Sequence, residues 1–294
     1  TRRSSDLFNL LTQKGQIMRW EGRRESSNIE DRRGSGGGNF GGGKGTGVLG
    51  IIILLVGAYY GVDLSGLVGT PDFSGQSSQQ LETQEEQQLA SLSKVVLADT
   101  ETVWGQYFRQ MGKTYSEPTM VLYNGVTSTA CGTGQSAMGP FYCPSDRKVY
   151  LDLSFYNEMK NKLGAAGDSA FAYVIAHEVG HHVQNMLGIL PQVNRAQQSS
   201  DRKTANQLSV QLELQADCFA GVWASQAVKS GLFERGDEEK AFNAAEAVGD
   251  DRLQKRSQGY VVPDSFTHGT SAQRLEWFRK GLQSANPSVC NTFN

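Results

Sequence analysis

Three of the chain's four histidines fall within six positions, in the stretch "HEVGHH" at 177–182. His177, Glu178 and His181 form the pattern H-E-x-x-H. On a helix, residues four apart lie one above the other, so the two imidazoles can point at one metal ion while Glu178 reaches a water held by it. Neutral imidazole binds zinc at about 2.0–2.1 Å. Two histidines leave a catalytic zinc one protein ligand short, and that ligand has to come from another element. The stretch "SVQLELQADCFAGVWASQAV" at 209–228 offers it, with Glu213 and Asp217 stacked four apart. Two acids so placed repel slightly, unless a metal–histidine cluster lies against them. Glu213 is therefore the expected third zinc ligand, and Asp217 the expected acceptor for the free ring N–H of a ligating histidine. His182 is off the ligand spacing and is expected on the neighbouring face, structural or lining the cleft.

The elements that must carry these residues are legible from apolar spacing. Phe171, Val174, Ile175, Val179, Val183 and Leu187 give the H-E-x-x-H helix an apolar face, and Leu212, Phe219, Val222 and Trp223 do the same for the second helix. Gly180 costs a helix about 1 kcal/mol relative to Ala, and its expected use is to let another backbone pass close by. Upstream, Val95, Val96, Trp104, Phe108 and Met111 can share one side of a helix. Extended runs follow at 118–125, 139–143 and 148–155, and the last alternates Val149, Leu151 and Leu153 with Tyr150 and Asp152 as a half-buried strand. From about Asn157 the pattern is almost wholly helical. "GPFYC" at 139–143, with Pro140 suited to an edge, is a candidate strand for pairing with an extended peptide.

At 294 residues and a net charge of −2, the chain can bury a real core and shows no basic field that would argue for nucleic acid. Its organisation reads as four parts. Residues 1–46 are basic and Gly-rich, expected to be flexible and cytoplasmic. Residues 47–69, "GVLGIIILLVGAYYGVDLSGLVG", read as a transmembrane signal anchor, with basic residues before it and none after it until Lys94. Residues 70–92 are a polar linker, and 93–294 form the globular domain, expected in the periplasm or outside the cell. The chain begins at Thr1, but "MRWEGRRES" from Met18 reads as a natural start, and residues 1–17 are assigned no function. Four cysteines spaced too widely for a metal knuckle suit disulfides in an exported domain. Of the three pairings open to them, Cys131–Cys143 with Cys218–Cys290 is expected.

Taken together, "MRWEGRRES", "GPFYCPSDRKVYLDLSF", "HEVGHH", "ELQADCFAG" and "DSFTHGTSAQRLEWFRKG" closely resemble the bacterial "putative neutral zinc metallopeptidase" family, over nearly the whole chain from Met18. The pair H-E-x-x-H and E-x-x-A-D is also similar to the wider gluzincin clan. The resemblance implies an α+β, zincin-like fold, mostly helical, with a small sheet packed on the active-site helix. It implies zinc held by His177, His181 and Glu213, a peptide or protein substrate, and Glu178 as the general base. In related gluzincins a T-H-P-x-x-x-x-R segment helps hold the substrate carbonyl. "THGTSAQR" has the same spacing, which makes His268 and Arg274 candidate catalytic residues, with Gly269 in place of the proline. A catalytically silent binding protein with structural zinc, or a hydrolase of non-peptide amides, is the alternative function.

Overall fold

The computed structural model describes residues 18–33 and 83–293. The apolar segment at 47–69 and most of the polar linker lie outside the described residues. Among those described, no helix is long and apolar enough to cross a membrane.

The described N-terminal arm belongs to the body. Strand β1 (Ile29–Asp31) pairs in parallel with β2 (Thr119–Tyr123), and the backbone of Arg19 donates to the Leu232 carbonyl at 2.9 Å. Glu101, 4% exposed on helix α1 (Thr83–Gln110), is served by the arm: Arg24 at 3.2 Å, Asn28 at 2.8 Å, and the Ser26 hydroxyl. Trp20 Nε1 donates to Asp168 at 2.9 Å, at the start of the H-E-x-x-H helix. The expectation of a flexible 1–46 segment therefore fails for residues 18–33. Composition suggested flexibility, but the partners of this polar arm lie far along the chain. The body also begins at Thr83 rather than 93, since Leu89, Ala90 and Leu92 of α1 are already buried. Met111 falls just beyond that helix and is exposed rather than on its buried side.

The sheet runs β1-β2-β6-β5, with β6 (Lys148–Asp152) parallel to β2 and β5 (Phe141–Cys143) antiparallel at the edge. A separate hairpin joins β3 (Val126–Thr129) to β4 (Gly132–Gln135). Strand β6 is buried on both faces, not one. Val149 and Leu151 join the main core with Met120 and Leu122, while Tyr150 is covered by Phe141 stacked on it across the β5–β6 pair, centroids 4.9 Å apart. After a short helical turn at Phe155–Glu158 the chain is helical: α2 (Asp168–Met186), α3 (Ile189–Gln198), α4 (Arg202–Lys229), α5 (Asp237–Ala247), α6 (Asp250–Gln258) and α7 (Ser271–Ser284).

Helices α2, α4 and α7 approach at backbone distance. A Cβ on Gly180 of α2 would sit 3.0 Å from the Ala216 carbonyl of α4, and one on Gly281 of α7 would sit 2.0 Å from the Cys218 carbonyl. Only hydrogen fits there, so residues 213–218 of α4 lie directly under the histidine face of α2. Both disulfides are present, Cys131–Cys143 beside the edge strand and Cys218–Cys290 fastening the C-terminal tail to α4.

Candidate zinc centre

The α2–α4 contact brings His177, His181 and Glu213 together, with one ligand atom from each within 4.8 Å of the others. Glu213 faces both rings: Oε2 lies 3.1 Å from His177 Nε2, and Oε1 lies 3.4 Å from His181 Nε2. Each ring is held at its other nitrogen. Asp217 Oδ1 is 2.9 Å from His177 Nδ1, and Gln184 Oε1 is 2.9 Å from His181 Nδ1. Both Nε2 atoms are thereby left for a metal.

Behind Asp217 lies a buried network. Tyr173, one turn before His177, donates its hydroxyl to Asp217 Oδ1 at 2.5 Å, and Arg274 donates Nε and Nη2 to the two Asp217 oxygens at 2.8 and 3.0 Å. Burial alone would raise the Asp217 pKa, but Arg274 and His177 hold it below the ordinary aspartate value. Arg274 is 3% exposed. It stands behind the His177–Asp217 pair, with Nη2 also 3.3 Å from His177 Nδ1, 3.5 Å from His177 Nε2 and 3.8 Å from Glu213 Oε2. The reason is packing: Gly281 seats α7 on the α4 backbone, which carries Arg274 inward onto Asp217.

The electrostatics ask for a cation. Burial would lower the His177 pKa, yet Asp217 and Glu213 outweigh it and raise it to about 10. Glu213 is held well below the usual carboxylate range by His181 and His177, against the effect of burial. Two imidazoles and a carboxylate, with ring orientation fixed and no fourth protein donor in the cluster among the described residues, are the donor set of an open zinc site. Glu178 is different. It is buried, and among the described residues nothing hydrogen-bonds its carboxylate. Burial raises its pKa, against the pull of His177 and His181.

His182 ties the site helix to the edge strand. The Tyr142 hydroxyl of β5 lies 3.0 Å from its Nδ1, and its Nε2 is 2.6 Å from the Ser116 carbonyl. Burial drives its pKa down to about 4, so it stays neutral. Asn185 donates to the same Tyr142 hydroxyl at 2.9 Å. Strand β5 is thus fastened along the second half of α2, as the terminal strand of the described sheet.

His268 stands in the loop before α7, which rests on α4 where Val210 and Leu214 flank Glu213. The loop is clamped by Asp250 at the head of α6. Its Oδ2 accepts from the backbone N–H of Thr267, His268 and Gly269 at 2.8, 2.6 and 3.1 Å, and its Oδ1 lies 3.2 Å from His268 Nδ1. Gly269 has φ +84°, a conformation closed to proline, so this loop takes its rigidity from the Asp250 hydrogen bonds. Asp250, Gln184 and Tyr173 were missed from sequence. Tyr173 and Gln184 carried a weak signal, four before His177 and three after His181 on the same helix face.

The family described as "Putative neutral zinc metallopeptidase" matches residues 18–293. The chain belongs to that family. Zinc is accordingly its metal, and His177, His181 and Glu213 are the cluster that fits it. The chain is 56% identical over 283 residues to "Uncharacterized protein YpfJ" of Escherichia coli K12, covering 94% of this chain and 99% of that one. It is 42% identical over 191 residues to "Uncharacterized protein Rv2575" of Mycobacterium tuberculosis H37Rv, covering 61% of this chain and 64% of that protein. "Uncharacterized protein Mb2605" of Mycobacterium bovis matches to the same extent. No solved structure matches the chain significantly.

Proposed function

We propose that the protein is a zinc-dependent endopeptidase of zincin type that hydrolyses peptide bonds in extended protein segments, with Glu178 as general base. The observation that carries this reading is Glu178 itself. A structural zinc site has no use for a buried, unengaged carboxylate beside two ligands, and closes its fourth position with protein. Zinc, when bound, polarises a water and the substrate carbonyl. The Glu178 carboxylate takes the water's proton and returns it to the leaving amine. Strand β5, the terminal strand of the described sheet, is the candidate to pair with the backbone of an extended substrate. His268 is the candidate donor to the carbonyl oxygen, where charge builds in the transition state.

The disulfides favour an oxidising compartment for the body, in the periplasm or outside the cell. The arm carrying β1 shares that compartment, because it is part of the same fold. A single crossing by 47–69 that left residues 18–33 in the cytoplasm would strip β1 from the sheet.

The test is digestion of an unfolded protein by the purified chain. Cleavage that a chelator abolishes and zinc restores supports the reading. Absence of cleavage by zinc-loaded protein, against a range of unfolded substrates, sinks it in favour of a silent binding protein.

A further inference from the structure

His177 is oriented by a charged group, Asp217, but His181 is not. Its Nδ1 faces the neutral amide of Gln184, which is fully buried. An amide can accept or donate, so which way Gln184 faces decides which nitrogen of His181 carries the hydrogen. Two backbone carbonyls settle it. The Gln184 Nε2 group donates to the Leu212 carbonyl of α4 at 2.7 Å and to Gln215 Oε1 at 3.2 Å. Gln215 Nε2 in turn donates to the Cys290 carbonyl at 2.7 Å, in the tail fastened by the Cys218–Cys290 disulfide. Carbonyls only accept, so both amides must present nitrogen to them, and Gln184 Oε1 is left to receive a proton from His181 Nδ1. The lone pair of the neutral ring then sits on Nε2, toward Glu213.

We propose that Gln184, backed by Gln215, is a positioning residue that sets the tautomer of His181 and so presents Nε2 to zinc. The relay starts at a backbone carbonyl next to a disulfide and ends at a metal ligand. It does for His181, with neutral groups, what Asp217 and Arg274 do for His177. A buried charge behind His181 is thereby avoided.

This inference rests on the zinc reading of the cluster, so native zinc affinity is measured first, by chelator competition. A native protein that binds no zinc removes both. With native binding established, Gln184→Leu should weaken zinc by about 10–100-fold, the usual cost of losing a group that orients a ligand. Gln184→Met, close to glutamine in volume but with no amide to accept from Nδ1, should weaken zinc to the same extent, which a role in packing alone would not. Gln215→Leu should cost less than Gln184→Leu, because the Leu212 carbonyl still fixes the Gln184 amide. Cobalt loaded in place of zinc gives a direct view of the rings. The native protein should show two shifted, exchangeable ring N–H signals by NMR, from His177 and His181, and Gln184→Leu should lose one. Native zinc affinity and both signals in Gln184→Leu would overturn the proposal. Should that variant not fold, His181 bound to cobalt through Nδ1 in the native protein would overturn it equally.

Discussion

His177 and His181 stand on one helix, over a second helix pressed against it at backbone distance, and each ring is held from behind by a buried partner. His268 stands in a loop, partly exposed, held by the Asp250 carboxylate at the head of a short helix and by the neighbouring Thr267 hydroxyl. The metal end is assembled by the same contacts that assemble the core, so disturbing it disturbs the fold. The loop end is attached to that core through Asp250 and can be altered with little effect on packing. Metal binding and catalysis should therefore separate by mutation in this molecule, stability following the first and not the second.

The largest effect is expected at Arg274. Arg274→Met leaves Asp217 buried without its cation and should cost about 3–5 kcal/mol of unfolding free energy in a denaturant titration, with weakened zinc. A variant as stable as the parent would mean that the metal end is not built on this ion pair. His268→Ala should lower kcat by about 10²–10³-fold, the cost of one donor to the carbonyl oxygen, with zinc content and Tm nearly unchanged. Loss of zinc before loss of turnover in that protein would break the distinction between the two regions.

A smaller effect is expected at Asp250. Burial lowers the His268 pKa, but Asp250 outweighs it and raises the folded value above the ordinary one. A raised folded pKa means that the interaction stabilises fully below about pH 6.5 and is lost as pH rises through the folded value. Asp250→Asn should bring the His268 pKa down, followed by NMR titration, and flatten that pH dependence. An unchanged titration would show that the clamp acts on the loop backbone alone.

The metal cluster was legible in sequence because its information is local. The four-residue spacings of His177 with His181 and of Glu213 with Asp217 specify helix faces without reference to the rest of the chain. Strand β5 and the two disulfides were legible for a related reason, since turn residues and cysteine positions punctuate the chain. What was not legible depends on pairing across distance. Ile29–Asp31 is a polar tripeptide beside a glycine run, and nothing in it announces a parallel partner at 120–122. Arg274 carried the right spacing for a substrate contact, but its direction is set by Gly281 on the Cys218 backbone, a contact no single segment reveals. Gln184 looks like a solvated helix residue until Leu212 and Gln215 close over it. The docked arm sharpens the question of membrane topology. Tags before residue 18 and after residue 293 should be reached by the same impermeant label in intact cells; labelling of only the C-terminal tag would mean that the arm is not docked on its own body.

The most direct test of the account is Glu178→Gln. The substitution keeps shape and burial and removes only the proton-accepting group. The variant should bind zinc as the parent does, melt at the same temperature, and cleave an unfolded protein about 10²–10⁴-fold more slowly. A Glu178→Gln protein that holds its zinc and cleaves at the parental rate would contradict the assignment of this site as a peptidase centre with Glu178 as its base.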